Sequence, residues 1–192
     1  MKKNLFKGAL ASTVIVSILS FTNANAQEKK IDVKESHITW EGEKVTGSHD
    51  GTIDIKNGYF TIENGELKGG EFVMDMSSIT VTDLEGDDKG KLEGHLKSDD
   101  FFGVKNYPNA KLVITSVAKK GNGTYGVVAN LTIKNKTNPV TFNLEWKENS
   151  ASAELTIDRS KYDVRYGSGS FFDNLGDKTI YDNFELDVDL KF

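Results

Sequence analysis

The stretch that decides the fold is Asn183 to Phe192, NFELDVDLKF, at the end of the chain. Every second residue from Phe184 to Phe192 is apolar, and the residues between them are Glu, Asp, Asp and Lys. Neighbouring side chains on a β-strand point to opposite faces of the sheet, whereas a helix would spread these apolar residues around its circumference. The segment is therefore predicted to be a β-strand with one apolar face and one charged face.

The same alternation recurs in three consecutive segments upstream. Their apolar positions are Tyr125, Val127, Ala129, Leu131 and Ile133, then Val140, Phe142, Leu144 and Trp146, then Ala153, Leu155 and Ile157. Each segment is a predicted strand, and the short connections between them predict antiparallel neighbours.

Asn-Gly pairs mark predicted hairpin turns, because both residues accept the positive φ angles of a type I′ turn. The pairs are Asn57-Gly58, Asn64-Gly65 and Asn122-Gly123. The first two predict a meander of three strands at residues 53–56, 59–62 and 66–76.

One segment departs from the strand pattern. From Asp87 to Ser98, Leu92 and Leu96 lie four residues apart among charged residues, which predicts a short helix with an apolar face. Phe101 and Phe102 follow directly, and we interpret helix and aromatic pair as a lid over a sheet interior. With nine or ten strands and one short helix, the chain is predicted to be all-β, a single antiparallel barrel or sandwich.

The amino-acid composition argues against several classes of function. The 192 residues include 11 Phe, 6 Tyr and 2 Trp, enough large side chains for the core of one domain. The formal net charge of −5 argues against nucleic acid as a partner, and the absence of Cys excludes thiolate metal sites and Cys nucleophiles. The three histidines are far apart in sequence, so no metal is predicted, although a spatial site made by His49, His95 and a carboxylate stays open.

The first 26 residues are predicted to be a signal peptide. Three lysines within the first seven residues precede an apolar run from Gly8 to Phe21 and an A-x-A cleavage site at Ala24-Asn25-Ala26. We therefore expect a mature domain of residues 27–192, exported through the general secretory route to a periplasm or to the exterior, with no integral membrane segment after cleavage.

Four motifs in order resemble those of one family. Gly94 to Pro108, GHLKSDDFFGVKNYP, resembles the H-L-x-S-x-D-F-F-x-V-x-x-Y-P signature of the YceI-like family. Ser36 to Trp40 resembles its early S-x-V-x-F strand, Leu131 to Val140 its L-T-I-x-G-x-T-x-P-V hairpin, and Asp158 to Val164 its N-R-S-x-F-G-V element. The matches extend over almost the whole predicted mature chain.

The resemblance implies an extended antiparallel β-barrel of lipocalin-like shape with the short helix near its mouth. It implies a non-enzymatic protein that sequesters or carries a long-chain isoprenoid or similar lipid in an apolar tunnel, with no cofactor besides that lipid. A polyprenyl quinone or polyprenyl phosphate is the kind of ligand expected, and a homodimer stays open.

On this interpretation the large apolar residues line the tunnel. They are Trp40, Phe72, Met74, Met76, Leu92, Leu96, Phe101, Phe102, Leu112, Ile114, Leu131, Ile133, Phe142, Leu144, Phe171, Phe172 and Phe184. The residues expected near the ligand head group at the mouth are His49, His95, Lys97 and Arg159.

Two other functions compete with lipid binding. A secreted stress or interaction protein would fill its core with its own side chains, because a small barrel either does this or holds one apolar ligand. A hydrolase or isomerase acting on a prenyl lipid would need a nucleophile, a base and an orienting group, and the sequence shows no recognisable set of these. No catalytic residue is therefore predicted.

Overall fold

A computed structural model describes residues 26–192. The signal-peptide prediction therefore falls outside the described residues except at Ala26, where the first strand begins. The elements in chain order are β1 (Ala26–Lys30), β2 (His37–Lys44), β3 (Gly47–Glu63), β4 (Glu66–Val81), α1 (Gly86–Lys97), β5 (Asn109–Gly121), β6 (Thr124–Ile133), β7 (Lys136–Trp146), β8 (Ser150–Asp158), two 3₁₀ turns (Arg159–Tyr162 and Gly176–Lys178) and β9 (Ile180–Lys191).

Eight of the strands close into an antiparallel barrel. Around the barrel the order is β3, β2, β9, β8, β7, β6, β5 and β4, and β4 pairs back onto β3. Strand β1 adds to the second half of β3, from Lys30 opposite Tyr59 to Ala26 opposite Glu63. The predicted all-β antiparallel barrel with one short helix is confirmed, and the closure excludes a sandwich.

Strand β9 lies between β2 and β8 and keeps the predicted alternation. Phe184, Leu186 and Val188 pack against the core from inside the barrel, whereas Glu185 and Asp187 are exposed. The apolar face of the sequence pattern is thus the inner face of the barrel.

Two of the three predicted Asn-Gly hairpins are confirmed. Asn64-Gly65 has φ angles of 53° and 79° and joins β3 to β4, and Asn122-Gly123 has 53° and 83° and joins β5 to β6. The hairpin at Asn57-Gly58 is wrong, because β3 continues through it with a bulge between Ile55 and Asn57. A Cβ on Gly58 would lie 2.4 Å from Cδ1 of Phe72, so this glycine provides space for a ring on β4 and makes no turn.

The end of the barrel opposite α1 is closed by aromatic rings. The ring of Phe60 meets those of Phe72, Trp146 and Phe192 edge to face, at centroid distances of 5.0, 4.9 and 5.5 Å. Such interlocked rings fill space densely, so they form a floor beneath the interior.

The barrel wall is weakest between β7 and β8. In the described part of the chain, two residue pairs, Glu145–Ser152 and Trp146–Ala151, join these strands. The turn Arg159–Tyr162 packs against the unpaired part of β7, where the Asn138 amide donates a hydrogen bond of 2.9 Å to the Lys161 carbonyl oxygen. Tyr162 is 1% exposed, so its ring completes the wall at this point.

The contact between β2, β3 and β4 generates a stability prediction. A Cβ at Gly51 would lie 1.9 Å from the Thr80 carbonyl oxygen and 2.6 Å from Cζ2 of Trp40. We expect Gly51→Ala to lower the free energy of unfolding by about 3 kcal/mol in urea denaturation, because a backbone atom is in the way. Gly42→Ala on β2 is the matched control, since no atom of residues 26–192 lies within 4 Å of a Cβ there. Equal stability of the two variants would contradict this account.

Candidate functional site

The helix α1 is fixed to the barrel by one carboxylate. Oε1 of Glu93 accepts hydrogen bonds from the Thr80 hydroxyl at 2.6 Å and from the Val81 backbone N–H at 3.0 Å. These bonds favour the ionised form and hold the pKa of Glu93 below its ordinary value. The attachment turns Leu96 of the helix into the barrel, where it is buried.

A compact turn after α1 places the aromatic pair. The backbone N–H of Phe102 donates to the Leu96 carbonyl oxygen at 3.1 Å, and that of Gly103 donates to the Ser98 carbonyl oxygen at 2.7 Å. The rings of Phe101 and Phe102 meet edge to face, with centroids 5.0 Å apart. Together with Leu96 they cover the α1 end of the interior.

Two apolar cavities lie between this cover and the aromatic floor. The mouth-side cavity, of about 130 Å³, is lined by Ile38, Trp40, Gly42, Ile53, Met74, Met76, Ile79, Leu96, Phe101, Phe102, Ala110, Leu131, Ile133, Arg159, Ile180, Tyr181, Phe184 and Leu186. The deep cavity, of about 70 Å³, is lined by Ile38, Ile55, Phe60, Phe72, Met74, Leu112, Ile114, Leu131, Phe142, Leu144, Ala153, Leu155, Leu186, Val188 and Leu190.

The two cavities share a waist. Ile38, Met74, Leu131 and Leu186 line both of them. Met74 is unbranched and rotates about several bonds, so a change in its rotamer alters the width of the waist without moving the backbone. The two adjoining cavities meet at these four side chains, and we call the two cavities together the passage.

The structure places most residues of the predicted tunnel in this passage. All of them line one of the two cavities except Leu92, Phe171 and Phe172. Leu92 packs against the core from the helix, whereas Phe171 and Phe172 are 39% and 50% exposed on the surface. The tunnel position predicted for those two aromatic residues is therefore wrong, because the loop that carries them turns outward.

Several residues that line the cavities were not predicted from the sequence to line the tunnel. They are Ile38, Gly42, Ile53, Ile55, Phe60, Ile79, Ala110, Ala153, Leu155, Ile180, Tyr181, Leu186, Val188 and Leu190. Leu186, Val188 and Leu190 belong to the same period-two pattern as Phe184, so the alternation contained the signal that would have found them.

Of the four predicted head-group residues, Arg159 is the one that lines a cavity, and it is 2% exposed. Its Nε donates to the Tyr181 carbonyl oxygen at 3.1 Å, and its Nη1 donates to those of Val164 and Tyr166 at 3.0 and 2.9 Å. Burial lowers the pKa of its guanidinium from the ordinary value, yet an arginine remains charged.

The remaining Nη2 group of Arg159 completes the same clamp. It donates to the Ile180 carbonyl oxygen at 2.9 Å and lies 3.5 Å from Oδ1 of Asp182. The guanidinium also lies over the ring of Phe101, 5.4 Å from its centroid. Arg159 thus connects the end of β8, the following loop and the start of β9. Its guanidinium donates to backbone carbonyl oxygens of the protein.

The other three predicted head-group residues lie outside the cavities. Nδ1 of His49 is 2.8 Å from Oδ2 of Asp83 on the rim. The ring of His95 packs edge to face on Tyr166 at 4.4 Å, and its Nε2 finds no hydrogen-bond partner among residues 26–192. Lys97 is half-buried at the end of α1. Their contact with a head group stays a prediction.

A wide polar groove adjoins the mouth. It encloses about 780 Å³ and carries four cationic side chains and four carboxylates, on Lys44, Lys134, Arg165 and Lys178 and on Asp99, Asp100, Asp163 and Asp177. Ile180 lines both the groove and the mouth-side cavity, so the groove is the polar continuation of the apolar passage.

The described residues contain neither a metal cluster nor a membrane-spanning helix. Between residues 26 and 192 no group of three or more His, Asp or Glu side chains is placed to hold a metal ion. The α-helix in this part of the chain has 12 residues, and no helix there is long and apolar enough to cross a membrane.

Solved structures share the fold. BcnA of Burkholderia cenocepacia aligns with 83% of this chain and 98% of its own, with a TM-score of 0.63 and 21% identity. A polyisoprenoid binding domain from Saccharophagus degradans, implicated in plant cell wall breakdown, aligns with 84% of this chain and 95% of its own, with a TM-score of 0.58 and 15% identity. At these identities the likeness shows the fold.

Other relatives are more similar to this chain in sequence than these solved structures are. A UPF0312 protein of Shewanella denitrificans is 31% identical over 147 residues, 73% of this chain and 71% of the relative. One of Vibrio campbellii is 34% identical over 149 residues, 76% of this chain and 75% of the relative. The family model of the YceI-like domain matches residues 30–192. The resemblance seen in the four motifs is thereby confirmed, and the chain belongs to the YceI-like family.

Proposed function

We propose that this chain is an exported, non-enzymatic binding protein that sequesters or carries a long isoprenoid or similar lipid chain inside its barrel. The observation that carries the proposal is the apolar passage from the α1 lid to the aromatic floor. Its deep part is lined entirely by apolar side chains, and the one charged residue of its mouth-side part is Arg159, whose donors are engaged elsewhere.

The lining selects the chemistry of the ligand. A hydroxyl or amide group entering the passage would lose its hydrogen bonds to water and find few replacements, at a cost of about 1–3 kcal/mol on the scale of protein mutations. A hydrocarbon chain meets no such cost and gains about 0.8 kcal/mol for each CH₂ removed from water. The passage therefore favours a long apolar chain, and the polyisoprenoid binding domain from Saccharophagus degradans has the same fold.

The polar groove is suited to the head group of that lipid. Its four cationic side chains can donate to the oxygen atoms of a quinone or a phosphate, whereas its four carboxylates keep the local net charge near zero. A polyprenyl quinone or polyprenyl phosphate, with its tail in the passage and its head in the groove, fits this division.

The same linings support binding without catalysis. Among residues 26–192, neither cavity is lined by a Ser, Thr, His, Lys, Asp or Glu side chain, and the mouth-side cavity has one tyrosine, Tyr181, which is 47% exposed. A lipid held with its chain in the passage would meet no pair of a nucleophile and a base among these lining residues.

Substitution at the waist tests tail binding. Leu131→Gln puts an amide at the junction of the cavities, where a hydrocarbon chain offers it no hydrogen bond. We expect binding of a long prenyl alcohol, measured by native mass spectrometry, to weaken by about ten- to a hundredfold. Val128→Gln on the same strand is the matched control, because Val128 is 38% exposed.

A second substitution keeps the waist apolar. Met74→Phe adds bulk without a polar group, so a long prenyl alcohol should lose affinity while a short one, held on the mouth side, keeps it. If both waist variants are folded by circular dichroism and bind the long alcohol as the wild type does, the passage is not the binding site.

The attachment of α1 predicts a pH dependence of lipid release. Hydrogen bonds from Thr80 and Val81 lower the folded-state pKa of Glu93 from its ordinary value of 4.5, so their stabilisation is complete above that value. It is lost as the pH falls through the lowered pKa, because the carboxyl group becomes protonated. We expect bound lipid to dissociate faster in acid, and hydrogen exchange of the α1 amides to accelerate over the same range.

Two variants separate this lid effect from a general loss of charge. Glu93→Ala should release lipid faster at neutral pH and remove much of the acid dependence. Asp88→Asn should change neither, because the Asp88–Lys91 pair is exposed on the same helix. An unchanged pH profile in Glu93→Ala would contradict a role for α1 as a lid.

Export is tested by the mass of the protein made from its full sequence in a bacterium. We expect a product that begins at Gln27 and is found outside the cytoplasm, because Ala24 and Ala26 are the small residues of the cleavage site. Ala24→Arg should leave the precursor uncut. A full-length product in the cytoplasm from the unaltered sequence would refute export.

A further inference from the structure

Three aromatic side chains stand exposed at the mouth end of the barrel. Between the turn Arg159–Tyr162 and β9, Tyr166, Phe171 and Phe172 are 49%, 39% and 50% exposed. We call these three residues the aromatic tip. Several large exposed rings on one loop mark a surface that contacts something other than water.

Hydrogen bonds within the loop hold the tip outward. The backbone N–H groups of Phe171 and Phe172 both donate to the Ser168 carbonyl oxygen, at 3.1 Å each. Ser168 is fully buried, and the Ser170 hydroxyl donates to Oδ2 of Asp182 at 2.5 Å. These bonds fix the loop backbone in the conformation that carries both rings on the outer surface.

The tip is continuous with the lipid passage. Tyr166 and Phe172 line the polar groove beside Leu175 and Ile180, and Ile180 also lines the mouth-side cavity. Among the charged side chains of the groove, these four apolar or aromatic residues thus connect the exposed rings to the mouth-side cavity. The Arg165 guanidinium lies over the ring of Phe171, 5.0 Å from its centroid, as a cation beside an aromatic ring at a membrane interface does.

We propose that the aromatic tip inserts into the interfacial region of a lipid bilayer and sets the mouth of the barrel on the membrane. The proposal rests on the lipid-binding function, because a long hydrocarbon chain is scarcely soluble in water and has to be taken from or given to a bilayer. Aromatic side chains are the residues enriched at that interface.

The charges around the tip specify the kind of bilayer. The adjoining groove balances its four cationic side chains with four carboxylates, so it gains nothing from an anionic surface. Insertion of the rings therefore provides the affinity, and a zwitterionic phosphatidylcholine bilayer suffices. Binding carried by ring burial persists in high salt, whereas binding carried by charge does not.

Flotation with phosphatidylcholine vesicles tests the proposal on the chain from Gln27 to Phe192. The unaltered protein should float with the vesicles in low and in high salt. The variant Phe171→Ser should partition about tenfold less, because burying one phenyl ring is worth about that factor. The matched control is Val33→Ser, which removes an apolar side chain that is equally exposed, at 39%, elsewhere on the surface.

A parallel measurement separates this proposal from the lipid-binding function. Both variants should bind a short, soluble prenyl alcohol as the unaltered protein does, since neither Phe171 nor Val33 lines one of the two cavities or the polar groove. Three results would each overturn membrane docking: alcohol binding by the unaltered protein without flotation, flotation unaffected by Phe171→Ser, or flotation only with anionic vesicles in low salt. Failure of the unaltered protein to bind any prenyl alcohol would overturn the lipid-binding function itself.

Discussion

The pairing of β4 back onto β3 is the constraint on which the rest of the structure depends. These are the two longest strands, of 17 and 16 residues, and their ladder shifts register at three points. Each bulge lets the pair bend, so that the sheet can close. Closure leaves the eight strands with one shared interior, and every second residue must face it. The alternation of apolar and charged residues in β9 follows from this shared interior. The apolar lining of the passage has the same cause.

The two ends of that interior differ because different residue sizes fill them. At the floor, Phe60, Phe72, Trp146 and Phe192 interlock edge to face or stacked and leave little space between them. Toward α1 the lining includes Gly42, Ala110 and two methionines, which fill less space or adapt to what lies beside them. The larger cavity therefore lies under the lid. A chain that enters from the mouth would reach the floor last, after passing the waist.

Local sequence patterns predicted the strands, the helix and one turn that depend on neighbouring residues. They failed where contacts between residues far apart in sequence determine the structure. The alternation in β6 to β9, the helix with Leu92 and Leu96, and the Asn64-Gly65 turn follow from nearby residues alone. Asn57-Gly58 has the same letters as a turn, but the ring of Phe72, from another strand, occupies the space above Gly58. Phe171 and Phe172 are of a residue type common in protein cores. Their loop, whose backbone is hydrogen-bonded to Ser168, nevertheless carries them on the surface. Neither outcome is visible within a few residues of sequence.

Arg159 explains how an apolar passage tolerates a charge in its wall. An unpaired buried guanidinium would be costly, but this one donates to four carbonyl oxygens and lies near Asp182. Those donors point toward the loop and the start of β9. The side of the guanidinium that faces the passage is therefore the side that lies over the ring of Phe101. The element that resembles the N-R-S motif therefore has a structural purpose. It fixes the loop that carries the aromatic tip to the strand that lines the cavity, and so holds the mouth in one geometry while the guanidinium donates to backbone carbonyl oxygens.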